Sequence, residues 1–193
     1  PFMVGLLIAV PSLSGSLLRV PFSAWVDTTG GRKPFLVLLS LSLSGMIGLT
    51  LVVHFLLPTG QLVGMFPLLL GLGILAGCGI ATFTVGVSQV SYWFPQSKQG
   101  KMLAVFAGIG NLAPGIFSIL LPFALTALGF AGSYLAWLVF LGIGTVLYFV
   151  MGRNAWYFQF LSRGETHESA RQHASALGQE LFPAGNIRDS LRI

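Results

Sequence analysis

The sequence predicts an all-α, polytopic membrane helix bundle, and three observations carry that prediction. Hydrophobic residues make up 54% of the chain, charged residues only 8%, and the mean hydropathy is +0.85. A soluble domain carries roughly 25% charged residues, so the expected solvent is lipid. Five apolar stretches also follow one another, each reaching the roughly 20 residues that a helix needs to cross a bilayer. Finally, only six of the fifteen Asp, Glu, Lys and Arg lie in residues 1–152: Arg19, Asp27, Arg32, Lys33, Lys98 and Lys101. That sparse, loop-confined pattern belongs to membrane proteins.

The first apolar stretch covers about 2–26 and opens on Pro1-Phe2-Met3, already inside a hydrophobic run. No basic n-region or cleavage site precedes it, so the chain is expected to be a fragment whose N-terminal helix is missing. The other stretches cover about 34–57, 62–92, 101–127 and 131–152. Between them stand Gly30-Gly31, Pro58-Thr59-Gly60, Pro95-Gln96 and the run from Gly129 to Gly132, all residues that interrupt helices. Gly73 and Gly77 have a small-residue spacing suited to helix contacts, as do Gly5, Ser12, Gly15 and Ser16 on the first helix.

Charge predicts orientation. Arg32 and Lys33 follow the first stretch, Lys98 and Lys101 the third, Arg153 and Arg163 the fifth, whereas 58–61 and 128–132 carry no charge. Basic connectors stay in the cytoplasm, so the visible N-terminus is expected outside and the tail inside. Residues 153–193 hold nine of the fifteen charges and read as a cytoplasmic loop. Within it, 166–181 can form one amphipathic helix with Ala170, Ala174, Leu177 and Leu181 on a face. Its small apolar face suits a docked loop better than a membrane-surface helix.

The net charge of +5 does not indicate nucleic acid, because no basic stripe is formed. Cys78 is the single cysteine, which excludes an intrachain disulfide and a cysteine-based metal site. His54, His167 and His173 are scattered. No metal or cofactor is expected.

Arg19 carries the most information. It lies eight residues before Asp27, roughly 12 Å into the membrane at about 1.5 Å per residue. A charge there costs about 2.5–3.5 kcal/mol, and no acidic residue in the five stretches neutralises it. A snorkelling arginine is one reading. The other is a binding site for a planar anion, which a guanidinium grips with two parallel donors. In Gly108-Ile109-Gly110-Asn111-Leu112-Ala113-Pro114-Gly115, the glycines open the backbone to a ligand or a partner helix, and Pro114 crowds the carbonyl of Gly110. Asn111 adds an amide. Phe83 lies twelve residues before Pro95 and Asn111 eleven after Gly100, so both sit roughly 15 Å deep, near the level of Arg19. A cation, an amide and an aromatic ring at one depth can form a midplane anion site. Packing alone also accounts for Phe83.

The connector Asp27-Thr28-Thr29-Gly30-Gly31-Arg32-Lys33 resembles the loop between helices 2 and 3 of the major facilitator superfamily. Ser23 stands where a glycine is usual, and one extra glycine separates Asp27 from Arg32. The stretch from Pro11 to Pro21 resembles helix 2 of the nitrate/nitrite porter family within that superfamily. Trp93-Phe94-Pro95 with Lys98-Gln99-Gly100 is similar to that family's loop before helix 5. Ala107 to Gly115 resembles its glycine-rich signature, and Gly178 to Gly185 its central loop. The resemblance implies a partial facilitator-type N-terminal half, helices 2 to 6 plus the central loop, in a cytoplasmic membrane. It further implies transport of nitrate or nitrite by alternating access, with a C-terminal helix half of the same protein as partner. Arg19 would be the substrate arginine, Asn111 the signature asparagine with Gly108 and Gly110 beside it, and Phe83 the aromatic flanking the anion. Asp27, Gly31, Arg32 and Lys33 would be the gating loop. Ala113 and Pro114 depart from the common signature, which leaves nitrate against nitrite open.

Rival readings are a carrier of another small anion such as a monocarboxylate, and a non-transporting membrane sensor. An intramembrane enzyme would need a catalytic dyad, and no Asp, Glu or His lies mid-span apart from His54 near a helix end. The orientation has a direct check. A cysteine placed in 58–61 of the full-length protein should react with an impermeant thiol reagent added outside, and one in 28–33 should not. The reverse pattern means an inverted topology.

Overall fold

The structure, a computed structural model, describes residues 2–60 and 64–179. All regular elements among the described residues are helical. They are α1 (Phe2–Thr29), α2 (Arg32–Leu51), α3 (Phe66–Gly77), α4 (Thr82–Trp93), α5 (Gln96–Met151), α6 (Trp156–Ser162) and α7 (His167–Ala176). A π-helical turn (Val52–Leu56) and a 3-10 turn (Leu57–Thr59) extend α2, and a 3-10 turn (Cys78–Ala81) joins α3 to α4. Four of the resulting helical runs are long and apolar enough to cross a membrane: Phe2–Thr29, Arg32–Thr59, Phe66–Trp93 and Gln96–Met151.

The last run spans 56 residues, which as one straight helix would extend for about 84 Å, far beyond the roughly 30 Å of a hydrocarbon core. Gly129 breaks it. Its φ of 69° and ψ of 179° are non-helical, a conformation open to glycine and costly for residues with a Cβ. The first arm of α5 therefore covers 96–128 and the second 130–151. The first arm begins at Gln96, not near 101, because Pro95 is extended and Gln99 folds back to donate to the carbonyls of Ser91 (2.8 Å) and Phe94 (3.0 Å). Similarly, α1 continues to Thr29 before Gly30 turns the chain at φ 81°.

The run through α3 and α4 is the centre of the bundle. α1 and α2 both pack on it. Backbone meets backbone at these contacts. A methyl on Gly15 would overlap the carbonyl of Gly77, one on Gly77 would overlap Pro11, and one on Gly45 would overlap the amide of Ala76. In lipid, burying apolar surface does not drive helices together, so close approach through small residues supplies the packing. Below these contacts lies a core of Val26, Leu38, Cys78, Ala81 and Val85, flanked by Leu18, Phe22 and Phe35. The outer faces are apolar and exposed, as at Ile8, Val20, Ile119, Phe123 and Val150.

The tail departs from the single amphipathic helix expected over 166–181. α6 has no counterpart in that reading. α7 is shorter, ending at Ala176 with Leu177 exposed, while Leu181 lies outside the described residues. Ala170 and Ala174 are fully buried, and α7 packs on α6. Thr166 caps α7 by accepting from the Ser169 amide at 3.3 Å. Glu165 is held below the ordinary carboxylate range, first by its 2.8 Å hydrogen bond with His173 and then by the Ser169 hydroxyl.

The glycine contacts generate a graded expectation. Gly15→Ala and Gly77→Ala should each destabilise the purified protein in detergent by about 1–3 kcal/mol, the usual cost of overpacking. Gly5→Ala, with nothing within 4 Å of the added carbon, should not. Thermal unfolding of the three variants checks this.

Candidate functional site

α1 and the α3–α4 run lie side by side in the same direction. Two hydrogen bonds set their register: the hydroxyls of Ser23 and Ser88 meet at 2.8 Å, and Tyr92 donates to Asp27 at 2.8 Å, each pairing residues 65 apart. Carried one turn up α1 from Ser23, that offset aligns Arg19 with position 84, beside Phe83. The core face of α1 is marked by Gly15, Leu18, Phe22 and Val26. Arg19 is four residues before Ser23 and therefore shares its face, the edge that borders α4.

Phe83 is half-buried and directed at the first arm of α5. Its ring stands 5.5 Å from that of Phe106, and a methyl on Gly110 would come within 2.9 Å of it. The missing side chain at Gly110 is thus what seats the ring. Gly108 faces open space. Asn111, adjacent to Gly110, is exposed, as is Arg19. Among the described residues neither side chain has a hydrogen bond or ion pair. The structure brings Phe83 and Gly110 into contact and aligns Arg19 with them in depth, and it leaves the cation and the amide unpartnered.

The connector residues are placed differently from a simple charged loop. Asp27 and Arg32 do not pair with each other. Asp27 accepts from Tyr92. Arg32 donates through Nη2 to the carbonyl of Phe149 at 2.8 Å and lies 5.8 Å from the centre of that ring. Gly31 is buried against Gln89, and Lys33 is exposed. The partners Tyr92, Gln89, Tyr148 and Asn154 were not anticipated. Their one sequence signal is polarity near the end of an apolar stretch. Ser23, the departure from the usual glycine, is explained by its bond to Ser88.

A groove of about 220 Å³ opens between α2 and the second arm of α5, lined by Ile47, Thr50, Leu51, His54, Phe55, Leu135 and Leu138. Its lining is almost wholly apolar and includes none of the predicted site residues. Among the described residues no group of three His, Cys, Asp or Glu converges to hold a metal.

A profile of the Major Facilitator Superfamily matches residues 1–184. The chain belongs to that superfamily. Relatives include a probable nitrate transporter NarT of Staphylococcus epidermidis, 31% identical over 152 residues, covering 79% of this chain and 36% of that protein. NarT of Staphylococcus carnosus is 30% identical over 149 residues, 77% and 35% of the two chains. The nitrate/nitrite transporter NarU of Escherichia coli is 32% identical over 117 residues, 61% and 24%. The chain thus spans about a third of the length of the first relatives, 36% and 35%. No solved structure matches it significantly. Within a superfamily of helical transporters, the bundle described above is a partial one.

The register bond offers a check. Tyr92→Phe keeps the ring against Phe158, 4.8 Å away, but removes the donor to Asp27. It should cost about 1 kcal/mol, the net worth of one hydrogen bond, and lower the unfolding midpoint by about 2–4 °C. Calorimetry or fluorescence unfolding in detergent measures it.

Proposed function

We propose that this chain forms most of the N-terminal half of a secondary transporter that carries nitrate, nitrite or both across the cytoplasmic membrane by alternating access. Five spans cross the bilayer in this reading, α5 supplying two of them on either side of Gly129. The visible N-terminus faces outward, and α6 and α7 lie in the cytoplasm. A C-terminal half of the same protein completes the cavity.

The observation that carries the reading is Arg19. It is a mid-span cation, exposed, with no acidic partner among the described residues, at the depth where Phe83 is seated against Gly110. Such a charge is costly in the membrane and marks a substrate pathway by default. Its guanidinium offers a planar oxyanion two parallel N–H donors. Phe83 contributes a flat apolar wall, and the amide of Asn111 a further donor. Gly108 leaves backbone open at the same level. The relatives named as nitrate transporters support the choice of anion. No covalent step is required. Binding neutralises the isolated charge, and the two halves then rock about the loaded site. Asp27, Gly31, Arg32 and Lys33 form the cytoplasmic junction that opens and closes with that movement.

Substitution of Arg19 in the full-length protein tests the reading. Arg19→Lys keeps the charge and the insertion cost but loses the fork. Loss of one charge-assisted hydrogen bond, worth about 1.5–3 kcal/mol, weakens binding roughly tenfold or more, so nitrate uptake should be abolished or severely reduced at normal membrane expression. Asn111→Ala should show a smaller loss. Near-normal uptake by the lysine variant would mean that Arg19 only anchors the helix, since lysine snorkels equally well. A wild-type protein that moves a monocarboxylate and no nitrate would transfer the site to that rival anion, and one that moves neither would favour the sensor.

A further inference from the structure

Two neutral carboxamides, Gln89 and Asn154, fasten three separate parts of the chain at the junction between α1 and α2. Asn154 follows the exit of α5. Its Oδ1 accepts from the backbone amide of Arg32 at 2.8 Å, and its Nδ2 donates to the carbonyl of Thr29 at 3.2 Å. The Arg32 amide is one of the donors that the first turn of α2 leaves without a helical partner. Gly30 makes room for this contact: a Cβ there would stand 2.6 Å from the amide carbon of Asn154, and its φ of +81° excludes most other residues as well. The carbonyl of Asn154 accepts in turn from Gln159 of α6 at 2.6 Å.

Gln89 makes the second fastening, from α4. Its Oε1 accepts from the Tyr148 hydroxyl at 3.0 Å, and its Nε2 donates to the carbonyl of Arg153 at 3.0 Å. Its stem fills the space beside Gly31, where a Cβ would meet it at 2.9 Å. Tyr148 also stacks on Phe35 of α2, ring centres 4.2 Å apart. The 29–32 connector, α4 and the exit of α5 are thereby joined by side chains that satisfy donor and acceptor together. Asn154 is bonded at 29–32, ten or more residues from Arg19 and roughly 15 Å along the helix. Gln89 is five residues from the level of Arg19, roughly 7.5 Å, with its amide committed to Tyr148 and Arg153.

We propose that Gln89 and Asn154 are positioning residues of the transport cycle: they lock the 29–32 connector, α4 and the α5 exit into one body, so that displacement of α1 at the anion is carried into opening and closing of the cytoplasmic junction. This rests on the transporter reading above. Without the lock, α1 moves against a slack connector. The anion still binds, but the conformational step slows.

The test uses the full-length transporter in proteoliposomes. In Asn154→Ala and Gln89→Ala, turnover for nitrate falls about fivefold or more, the equivalent of one or two hydrogen bonds, while KM and the nitrate Kd stay within about twofold of wild type. The double variant is no slower than the slower single variant by more than about twofold, since the two amides act as a unit. Gln89→Glu keeps the acceptor for Tyr148 and loses the donor to Arg153, and turns over at an intermediate rate. Backbone amide exchange at 30–34 rises in Asn154→Ala, because the Arg32 amide has lost its acceptor. If that variant does not fold, Asn154→Asp, which keeps the acceptor for the Arg32 amide and loses the donor to Thr29, replaces it in the turnover measurement with the same direction of change, and exchange at 30–34 is not read in it. Full turnover in both alanine variants, KM rising in step with the loss of turnover, or unchanged exchange at 30–34 overturns the proposal. A wild-type protein without nitrate uptake overturns the substrate reading alone, and the lock is then judged by the exchange measurement.

Discussion

The backbone of α1 lies directly against that of α3, and the remainder of the bundle is arranged around that contact. Gly15, Gly77 and Pro11 meet there without intervening side chains. Within lipid, apolar surfaces gain nothing by turning from acyl chains to one another, so helices associate where dispersion contacts and backbone approach are closest. The glycines supply that approach. The contact fixes the axial offset between α1 and the α3–α4 run, and the offset brings Ser23 to Ser88 and Tyr92 to Asp27. The same offset aligns Arg19 with Phe83. A slip of one turn, about 5.4 Å, would separate the cation from the aromatic and break both hydrogen bonds.

Polar interactions are distributed unevenly along the bundle. Most of those linking separate helices gather at the junction end, around Asp27, Gln89, Tyr92, Tyr148 and Asn154, while Ser14 and Ser42 each donate to a carbonyl of α3 farther along. Near the level of Arg19 stand Phe83, Thr84 and Gly110, with no ion pair among the described residues. An end tied by several hydrogen bonds and a middle with one unpaired cation suit different tasks. The tied end holds geometry, and the middle leaves Arg19 exposed and without a partner among the described residues. Hydrogen bonds inside a membrane average below 1 kcal/mol each, so stiffness at the junction comes from their number and from their closure into a ring rather than from any single bond.

Much of the helical architecture was legible because a bilayer leaves few options. A run of about 20 apolar residues must satisfy its backbone internally, and a helix does so. The role of Gly77 and Gly15 as contact residues followed from spacing, although Gly5, on the same pattern, touches nothing. The break at Gly129 followed from the Gly129 to Gly132 run. α6 was invisible: seven residues carry little periodicity, and its position depends on Phe158 packing under Tyr92 and on Gln159 bonding Asn154. The junction amides were equally hidden, since the partners of Asn154 lie more than a hundred residues away in the chain.

By itself the sequence determined the solvent, the helices and the membership of a transporter superfamily. These are set by composition, run length and local motif, which act within a few turns of chain. Tertiary structure decided the axial register, the seating of Phe83 on Gly110, and the pairing of Asp27 with Tyr92. Each of these depends on where one helix stops sliding along another. Steric contact between distant glycines sets that point, and no property of either glycine's neighbours in the chain encodes the distance.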